Sequence, residues 1–201
     1  MITFRSYQED IIEKGIYVLN KHKFVYLSME VRTGKTLTAL GICKKLGVDS
    51  VLFVTKKKAM LSIESDYYQL NPDFDFKVIN YESLHKVCVG GWDVIICDEA
   101  HRTTGATLSG KDESKFIRIH KDENIKAKKR LYMTATPKIY GETAKKKEYE
   151  GEVNLASMDD EDLFGPTFIH RSFGWAVENN LLTDFKVLIL VVDEQVVSDR
   201  V

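Results

Sequence analysis

Two apolar runs of the sequence each end in a short cluster of polar residues. Residues 24–28 lead into the loop 31–36, and residues 94–97 lead into the adjacent carboxylates Asp98 and Glu99. An uninterrupted apolar run of this length is typical of a strand that is buried on both faces of a parallel sheet. Because parallel sheets bind ligands beyond the carboxyl ends of their strands, the two clusters are predicted to meet at one edge of the sheet.

The rest of the sequence alternates between strand and helix patterns. Strands are predicted near residues 24–28, 51–54, 76–79, 94–97 and 130–134, and helices near residues 7–20, 35–46, 57–69 and 81–88. This alternation predicts an α/β fold in which a parallel central sheet is flanked by helices on both faces. Between the last two predicted strands, residues 102–129 are predicted to be a polar insertion with a short helix near residues 113–120.

The composition changes after residue 137. Residues 138–162 are rich in lysine and glutamate and show little periodicity, so we predict a partly disordered surface connector. A helix is predicted over residues 168–182 and a long strand over residues 186–192. The length of 201 residues suffices for one α/β domain and a partial second element.

The loop 31–36 has the Gly-Lys-Thr ending of a phosphate-binding loop. Gly34 lets backbone N–H groups approach phosphate oxygens, and Lys35 suits the β- and γ-phosphates. The hydroxyl of Thr36 suits Mg²⁺. Met29 stands where such loops usually begin with glycine, so the loop departs from the usual pattern at that position.

The second cluster supplies the acidic half of the same site. Asp98 is predicted to hold the Mg²⁺ through water, and Glu99 to orient and deprotonate the attacking water. The loop and the two carboxylates together predict that the cofactors are ATP and Mg²⁺. The alternative is a strand, a turn and a helix without any ligand.

Charge and cysteine content restrict the remaining classes. The chain has 29 Lys and Arg against 30 Asp and Glu, so binding to nucleic acid requires a local basic patch. The three cysteines show no metal-binding or redox spacing and are expected to be reduced, as in a cytoplasm. No apolar stretch approaches the length of a membrane helix, so no membrane partner is predicted.

Several short motifs resemble those of superfamily 2 helicases and translocases of the DEAD/DEAH type. They are Arg-Ser-Tyr-Gln at 5–8, Asp-Glu-Ala-His at 98–101 and Thr-Ala-Thr-Pro at 134–137, in the family's order and spacing. Segments between residues 98 and 194 resemble the motors of type ISP, type I and type III restriction endonucleases. Residues 1 to about 100 also resemble compact phage-encoded helicases. The resemblance implies a RecA-like P-loop NTPase domain.

The resemblance also implies roles for individual residues. Nucleotide binding is implied for the phosphate loop and for an adenine-reading pair ahead of it: Arg5, Gln8, Arg32, Thr33, Gly34, Lys35 and Thr36. Catalysis is implied for Lys35, Asp98 and Glu99, and Mg²⁺ binding for Thr36 and Asp98. Coupling of the ATP site to the DNA site is implied for His101, Thr134 and Thr136.

Each of these roles has a simpler alternative. Ser6 and Glu9 fit a capping box at a helix start, with Gln8 merely exposed. His101 could be an ordinary turn histidine, and the two threonines could make local bonds at a strand end.

Contact with DNA is expected from residues that follow two strands, Thr55, Lys56 and Tyr81. They stand where members of the resembled family grip the sugar-phosphate backbone, and lysine binds phosphate without reading sequence. The alternative for the lysine run at positions 56–58 is an ordinary charged surface in contact with solvent. The expected track is double-stranded DNA rather than RNA.

The resemblance divides the chain into two parts. Residues 1–137 are expected to be the first RecA-like lobe, and residues 138–201 a connector that begins the passage to a second RecA-like lobe outside this chain. Nuclease and methyltransferase domains are expected on the same larger enzyme. We therefore expect the isolated chain to bind nucleotide but to hydrolyse it slowly and not to unwind or translocate, because both lobes are needed.

Three functions are compatible with the sequence. The first is the ATP-hydrolysing motor lobe of a restriction-type translocase on double-stranded DNA. The second is the front half of a phage-type DNA or RNA helicase, which would separate strands. The third is a non-catalytic ATP- or DNA-binding module, which would tolerate the change Glu99→Gln.

Overall fold

The computed structural model describes residues 2–87, 90–109, 116–184 and 186. The α-helices are α1 (Ser6–His22), α2 (Lys35–Leu46), α3 (Met60–Leu70), α4 (Glu142–Tyr149), α5 (Glu161–Phe164) and α6 (Phe173–Glu178). The strands are β1 (Phe24–Met29), β2 (Ser50–Thr55), β3 (Asp75–Asn80), β4 (Trp92–Asp98), β5 (Gly105–Leu108), β6 (Ala127–Thr134), β7 (Val153–Ala156) and β8 (Thr167–Arg171). Short 3₁₀ helices cover Lys57–Ala59, Tyr81–Lys86, Ala100–Thr103 and Ile117–His120.

The centre of the fold is a six-stranded sheet in the order β3-β2-β4-β6-β1-β8. All neighbouring strands in it run parallel. The five strands predicted from the sequence all lie in this sheet, and helices cover it on both faces. The predicted α/β fold with a parallel central sheet is confirmed.

Apolar side chains fill both faces of the sheet. Because successive residues of a strand point to opposite faces, Val51 and Phe53 of β2 join the core beneath α1, α2 and α3. Leu52 and Val54 of the same strand join a second core, which α5 and the 3₁₀ helices cover. Burial on both faces explains why these strands are apolar runs rather than alternating patterns.

The prediction of a partly disordered connector over residues 138–162 was wrong. This segment contains α4 and β7, and β7 pairs antiparallel with β5 from Gly105↔Ala156 to Leu108↔Val153. An ion pair of 2.5 Å between Lys145 and Asp159 joins α4 to the residues after β7. The partner strand lies in the polar insertion far away in sequence, so local periodicity could not indicate the pairing.

The helix predicted over residues 168–182 was wrong at its start. Thr167–Arg171 is strand β8, which lies beside β1 with Leu27 opposite Ile169, and only Phe173–Glu178 is helical. Ser28 Oγ and His170 Nδ1 lie 3.0 Å apart across the two strands. As an edge strand with half-buried side chains, β8 lacks the apolar run that marks the inner strands.

Two smaller differences concern the predicted helices. The helix predicted over 81–88 is the 3₁₀ helix Tyr81–Lys86, and the helix predicted over 57–69 begins as the 3₁₀ helix Lys57–Ala59. Residues 113–115 of the helix predicted in the insertion, and residues 187–192 of the last predicted strand, lie outside the described residues.

The division into a lobe of residues 1–137 and a connector of residues 138–201 stays a prediction. Within the described residues, every helix is too short or too polar to span a bilayer.

Candidate nucleotide site

The loop between β1 and α2 is held by hydrogen bonds from both of its sides. The Thr33 hydroxyl donates to the Glu30 carbonyl at 2.6 Å, and the Tyr7 hydroxyl of α1 donates to the Thr33 carbonyl at 2.8 Å. Arg32 and Gly34 have left-handed backbones, with φ of 60° and 74°. The loop therefore curls at the amino terminus of α2, where unpaired N–H groups and the helix dipole attract anions.

Asp98 is a buried acidic residue, with 8% of the residue exposed. Its Oδ2 accepts a hydrogen bond of 2.7 Å from the Thr55 hydroxyl, and its carbonyl accepts one of 2.6 Å from the Tyr81 hydroxyl. Burial raises the pKa of the Asp98 carboxyl, while the Thr55 bond and the Lys35 charge oppose that shift.

The other carboxylate oxygen of Asp98 fits a cation. Oδ1 is buried and has no hydrogen-bond partner among the described residues. A buried carboxylate oxygen without a partner is costly, and a hard cation such as Mg²⁺ satisfies it. The position of Asp98 beside the phosphate loop is therefore compatible with Mg²⁺.

Glu99 lies at the turn after β4, in a left-handed backbone conformation with φ of 53°. Its Oε1 accepts a hydrogen bond of 2.8 Å from the Lys56 ammonium, and its Oε2 lies 3.6 Å from His101 Nδ1. Burial alone would raise the pKa of the Glu99 carboxyl, but the Lys56 bond and the charges of Lys56 and Lys35 outweigh burial, so this pKa is lowered overall. Glu99 is therefore ionised at neutral pH.

His101 connects the acidic cluster to the end of β6. Its Nδ1 lies 2.9 Å from Thr134 Oγ1 and 3.3 Å from Thr136 Oγ1. These contacts follow from the pairing of β4 with β6, which brings the residues after both strands together. Burial lowers the pKa of His101, so the imidazole is neutral at pH 7.

Gln8 is buried, with 4% exposed, so the alternative of an exposed Gln8 was wrong. Its Oε1 accepts from the Arg5 N–H at 3.0 Å, and its Nε2 donates to the Gly34 carbonyl and the Thr38 hydroxyl, both at 3.2 Å. A Cβ on Gly34 would lie 2.6 Å from Gln8 Nε2, so this close approach requires glycine. Gln8 thus ties α1 to the phosphate loop, and the adenine-reading role of Arg5 and Gln8 stays a prediction.

The DNA contact predicted for Lys56, Thr55 and Tyr81 stays a prediction, and the structure limits what the side chains of Thr55 and Tyr81 can contribute to it. Both are fully buried, and both donate hydrogen bonds to Asp98. Of the three predicted contacts, Lys56 alone has an exposed side chain, with 47% of its area accessible.

Sequence reasoning missed the residues that β8 brings to the loop. The Glu30 N–H donates to the Arg171 carbonyl at 3.0 Å, and the rings of Tyr7 and Trp175 pack edge to face with centroids 5.1 Å apart. The Arg171 guanidinium lies over the Trp175 ring, 4.6 Å from its centroid. The apolar residues near Trp175 predicted a helix, and α6 covers part of the predicted range. No feature of the sequence indicated that the residues preceding α6 pair with β1.

The parallel sheet, the curled loop and the acidic pair define a RecA-like, helicase-type motor domain. The family described as type III restriction enzyme, res subunit, matches residues 1–73 and 62–139. The chain belongs to this family. A comparison with curated proteins gave no match.

Three solved structures share the fold. The ATP-dependent type ISP restriction-modification enzyme LlaBIII bound to DNA is 31% identical, with a TM-score of 0.66 over 92% of this chain and 16% of that one. A nuclease-deletion mutant of the type ISP enzyme LlaGI, in complex with a DNA substrate mimic, is 23% identical, with a TM-score of 0.67 over 90% of this chain and 21% of that one.

The third is the Sulfolobus solfataricus SWI2/SNF2 ATPase core in complex with double-stranded DNA. It is 17% identical, with a TM-score of 0.55 over 68% of this chain and 32% of that one. This chain therefore corresponds to a small part of much longer proteins.

Proposed function

We propose that this chain is the ATP-binding and ATP-hydrolysing lobe of a restriction-type translocase, which couples hydrolysis to movement on double-stranded DNA. One observation carries the proposal. The loop after β1 and the carboxylates at the end of β4 lie at one carboxyl edge of the parallel sheet, where Oδ1 of Asp98 is buried without a described hydrogen-bond partner. The names of the type ISP and SWI2/SNF2 structures support ATP and DNA as the ligands.

Each residue has a defined task in the proposed reaction. The backbone around Gly34 and the amino terminus of α2 bind the phosphates, and Lys35 binds their outer oxygens. Thr36 and the unpartnered oxygen of Asp98 would hold Mg²⁺, which neutralises charge on the phosphates when bound. Glu99 orients the attacking water and accepts its proton.

The contacts of His101 with Thr134 and Thr136 support a role in coupling. Glu99 Oε2 and Thr134 Oγ1 lie 3.6 and 2.9 Å from the same His101 nitrogen, so a change of position at Glu99 can reach the end of β6 through this imidazole. We propose that the end of β6 transmits the state of the nucleotide toward the DNA-binding face. In this proposal residues 138–201 lead to a second lobe, and nuclease and methyltransferase domains belong to the same larger enzyme.

Hydrolysis of Mg-ATP by this chain, with and without double-stranded DNA, tests the proposal beside Lys35→Ala. We expect nucleotide binding and any turnover to be lost in Lys35→Ala, because its ammonium is the main cation aimed at the phosphates. Equal nucleotide binding by the wild type and Lys35→Ala would reject the site. Strand separation on a tailed duplex by the complete enzyme, without translocation along intact duplex, would favour a helicase instead.

A further inference from the structure

The residues that follow β2 hold both catalytic carboxylates. Val54 of β2 lies opposite Cys97 of β4, so the next residues along each strand also face each other. The Thr55 hydroxyl donates to Asp98, and the Lys56 ammonium donates to Glu99 at 2.8 Å. The end of β2 is therefore part of the ATP site.

The two partners of the Lys56–Glu99 pair differ in their access to solvent. The Lys56 side chain is 47% exposed, whereas the Glu99 side chain is 25% exposed. Two further lysines follow at positions 57 and 58, and both are exposed. This is a local basic patch on a chain of net charge −1, and ammonium groups bind backbone phosphates as point charges.

The pair restrains the carboxylate that must accept a proton. One oxygen of Glu99 is occupied by Lys56, and the other lies 3.6 Å from His101. A carboxylate whose oxygens are held by these neighbours is not free to turn toward a water molecule.

We propose that Lys56 is a positioning residue that holds Glu99 until a phosphate of the DNA backbone takes over its ammonium. DNA binding then releases Glu99 to act on the attacking water. This inference rests on the proposed function and adds its regulation, because one ammonium cannot fully serve the phosphate and Glu99 at the same time. Glu99 and DNA therefore compete for Lys56.

A double-mutant cycle in DNA affinity tests this competition. The anisotropy of a labelled DNA duplex is measured with the 201-residue chain at low salt and without nucleotide. Glu99→Gln frees Lys56, so we expect DNA affinity to rise roughly two- to fivefold, the range of a partly exposed ion pair. The gain should disappear in Lys56→Gln and persist in Lys56→Arg, which keeps the cation.

Two controls separate the pair from general charge effects. Lys57 makes no ion pair within the described part of the chain, so the gain from Glu99→Gln should persist in Lys57→Gln. Glu13→Gln removes the same charge from α1 and frees Lys45 of α2, which lies 3.8 Å from Glu13, and it should leave DNA affinity unchanged. Circular dichroism confirms that each variant is folded.

The proposal is overturned if Glu99→Gln leaves DNA affinity unchanged, if its gain persists in Lys56→Gln, or if no variant binds the duplex. None of these results affects the nucleotide site, which is tested separately by Lys35-dependent ATP binding. Loss of that binding with an intact cycle would reject the proposed ATPase function while leaving the Lys56–Glu99 competition standing.

Discussion

The Thr55 hydroxyl donates a buried hydrogen bond of 2.7 Å to Oδ2 of Asp98. Thr55→Val keeps the shape of the side chain and removes the donor, so Asp98 loses its orientation toward the proposed Mg²⁺ position. Loss of such a partner typically weakens metal affinity about 10–100-fold. We expect this loss in the Mg²⁺ dependence of ATP binding, measured with a fluorescent ATP analogue.

Thr55→Ser retains the hydroxyl and serves as the control for that substitution. It should bind nucleotide with nearly the wild-type dependence on Mg²⁺. A normal Mg²⁺ dependence in Thr55→Val would contradict the role of this hydroxyl. Because Thr55 is fully buried, we also expect DNA affinity without nucleotide to be the same in both variants.

Strand β6 anchors the polar insertion through one buried cation. The Arg130 guanidinium donates to the carbonyls of Ile119 and Ile125 and to the Asp122 carboxylate, at 2.6 to 2.9 Å. Arg130→Met leaves those carbonyls without this donor, and each buried acceptor left unpaired costs about 1–3 kcal/mol. Urea unfolding should show that loss, whereas Arg118→Met, at an exposed position of the same segment, should change stability by less than about 0.5 kcal/mol.

Asp93 ties the start of β4 to the start of β2. Its carboxylate binds the Lys128 ammonium at 2.6 Å and accepts from the N–H groups of Asp49 and Ser50 at 2.8 and 3.1 Å. The Lys128 bond and the two backbone bonds lower the pKa of the Asp93 carboxyl. Its contribution to stability is therefore present above the unfolded pKa of about 3.9 and is lost as the pH falls through the lower folded value.

The variant Asp93→Asn tests this pH dependence. Near pH 7 it should unfold more easily by about 1–3 kcal/mol, because a charged acceptor of three bonds is replaced by a neutral one. The difference from the wild type should shrink as the pH falls from about 4 toward the lower pKa of Asp93 in the folded chain. A difference that stays constant down to pH 3 would contradict the assignment, and Asp10→Asn at an exposed site of α1 is the control.

Elements with strong local signals were predictable from the sequence, and elements defined by distant partners were not. The apolar runs of β1, β2 and β4 predicted a buried parallel sheet because both faces of each strand are covered. Strand β5 of the insertion pairs with β7 after residue 137, and β8 is an edge strand. None of these three strands has an apolar run.

The same limit applies to the site. Position after a strand correctly predicted that Thr55 and Tyr81 approach the carboxyl edge of the sheet. Position could not tell that their hydroxyls turn inward to Asp98 rather than outward to DNA, since that depends on the alignment of β2 with β4. The hydrogen bonds from the Gln8 side-chain amide to Gly34 and Thr38 were also not predictable, because they depend on how α1 packs against the start of α2.

Nucleotide binding should stabilise the whole chain, because the phosphate loop, α1 and β6 meet at one site. A ligand at 100 times its Kd adds about 2.7 kcal/mol to the free energy of unfolding. For a chain of this size each kcal/mol raises Tm by about 2–4 °C, so Mg-ATP should raise Tm by roughly 5–11 °C. Differential scanning fluorimetry with and without Mg-ATP measures this shift.

Two lysines of α2 separate specific binding from nonspecific stabilisation by an anion. Lys35 begins the helix at the phosphate loop, whereas Lys45 lies in its last turn beside Glu13. Lys35→Ala should abolish the rise in Tm and Lys45→Ala should keep it, although both remove one positive charge from the same helix. An equal rise in both variants would mean that Mg-ATP stabilises the chain from somewhere other than the loop between β1 and α2.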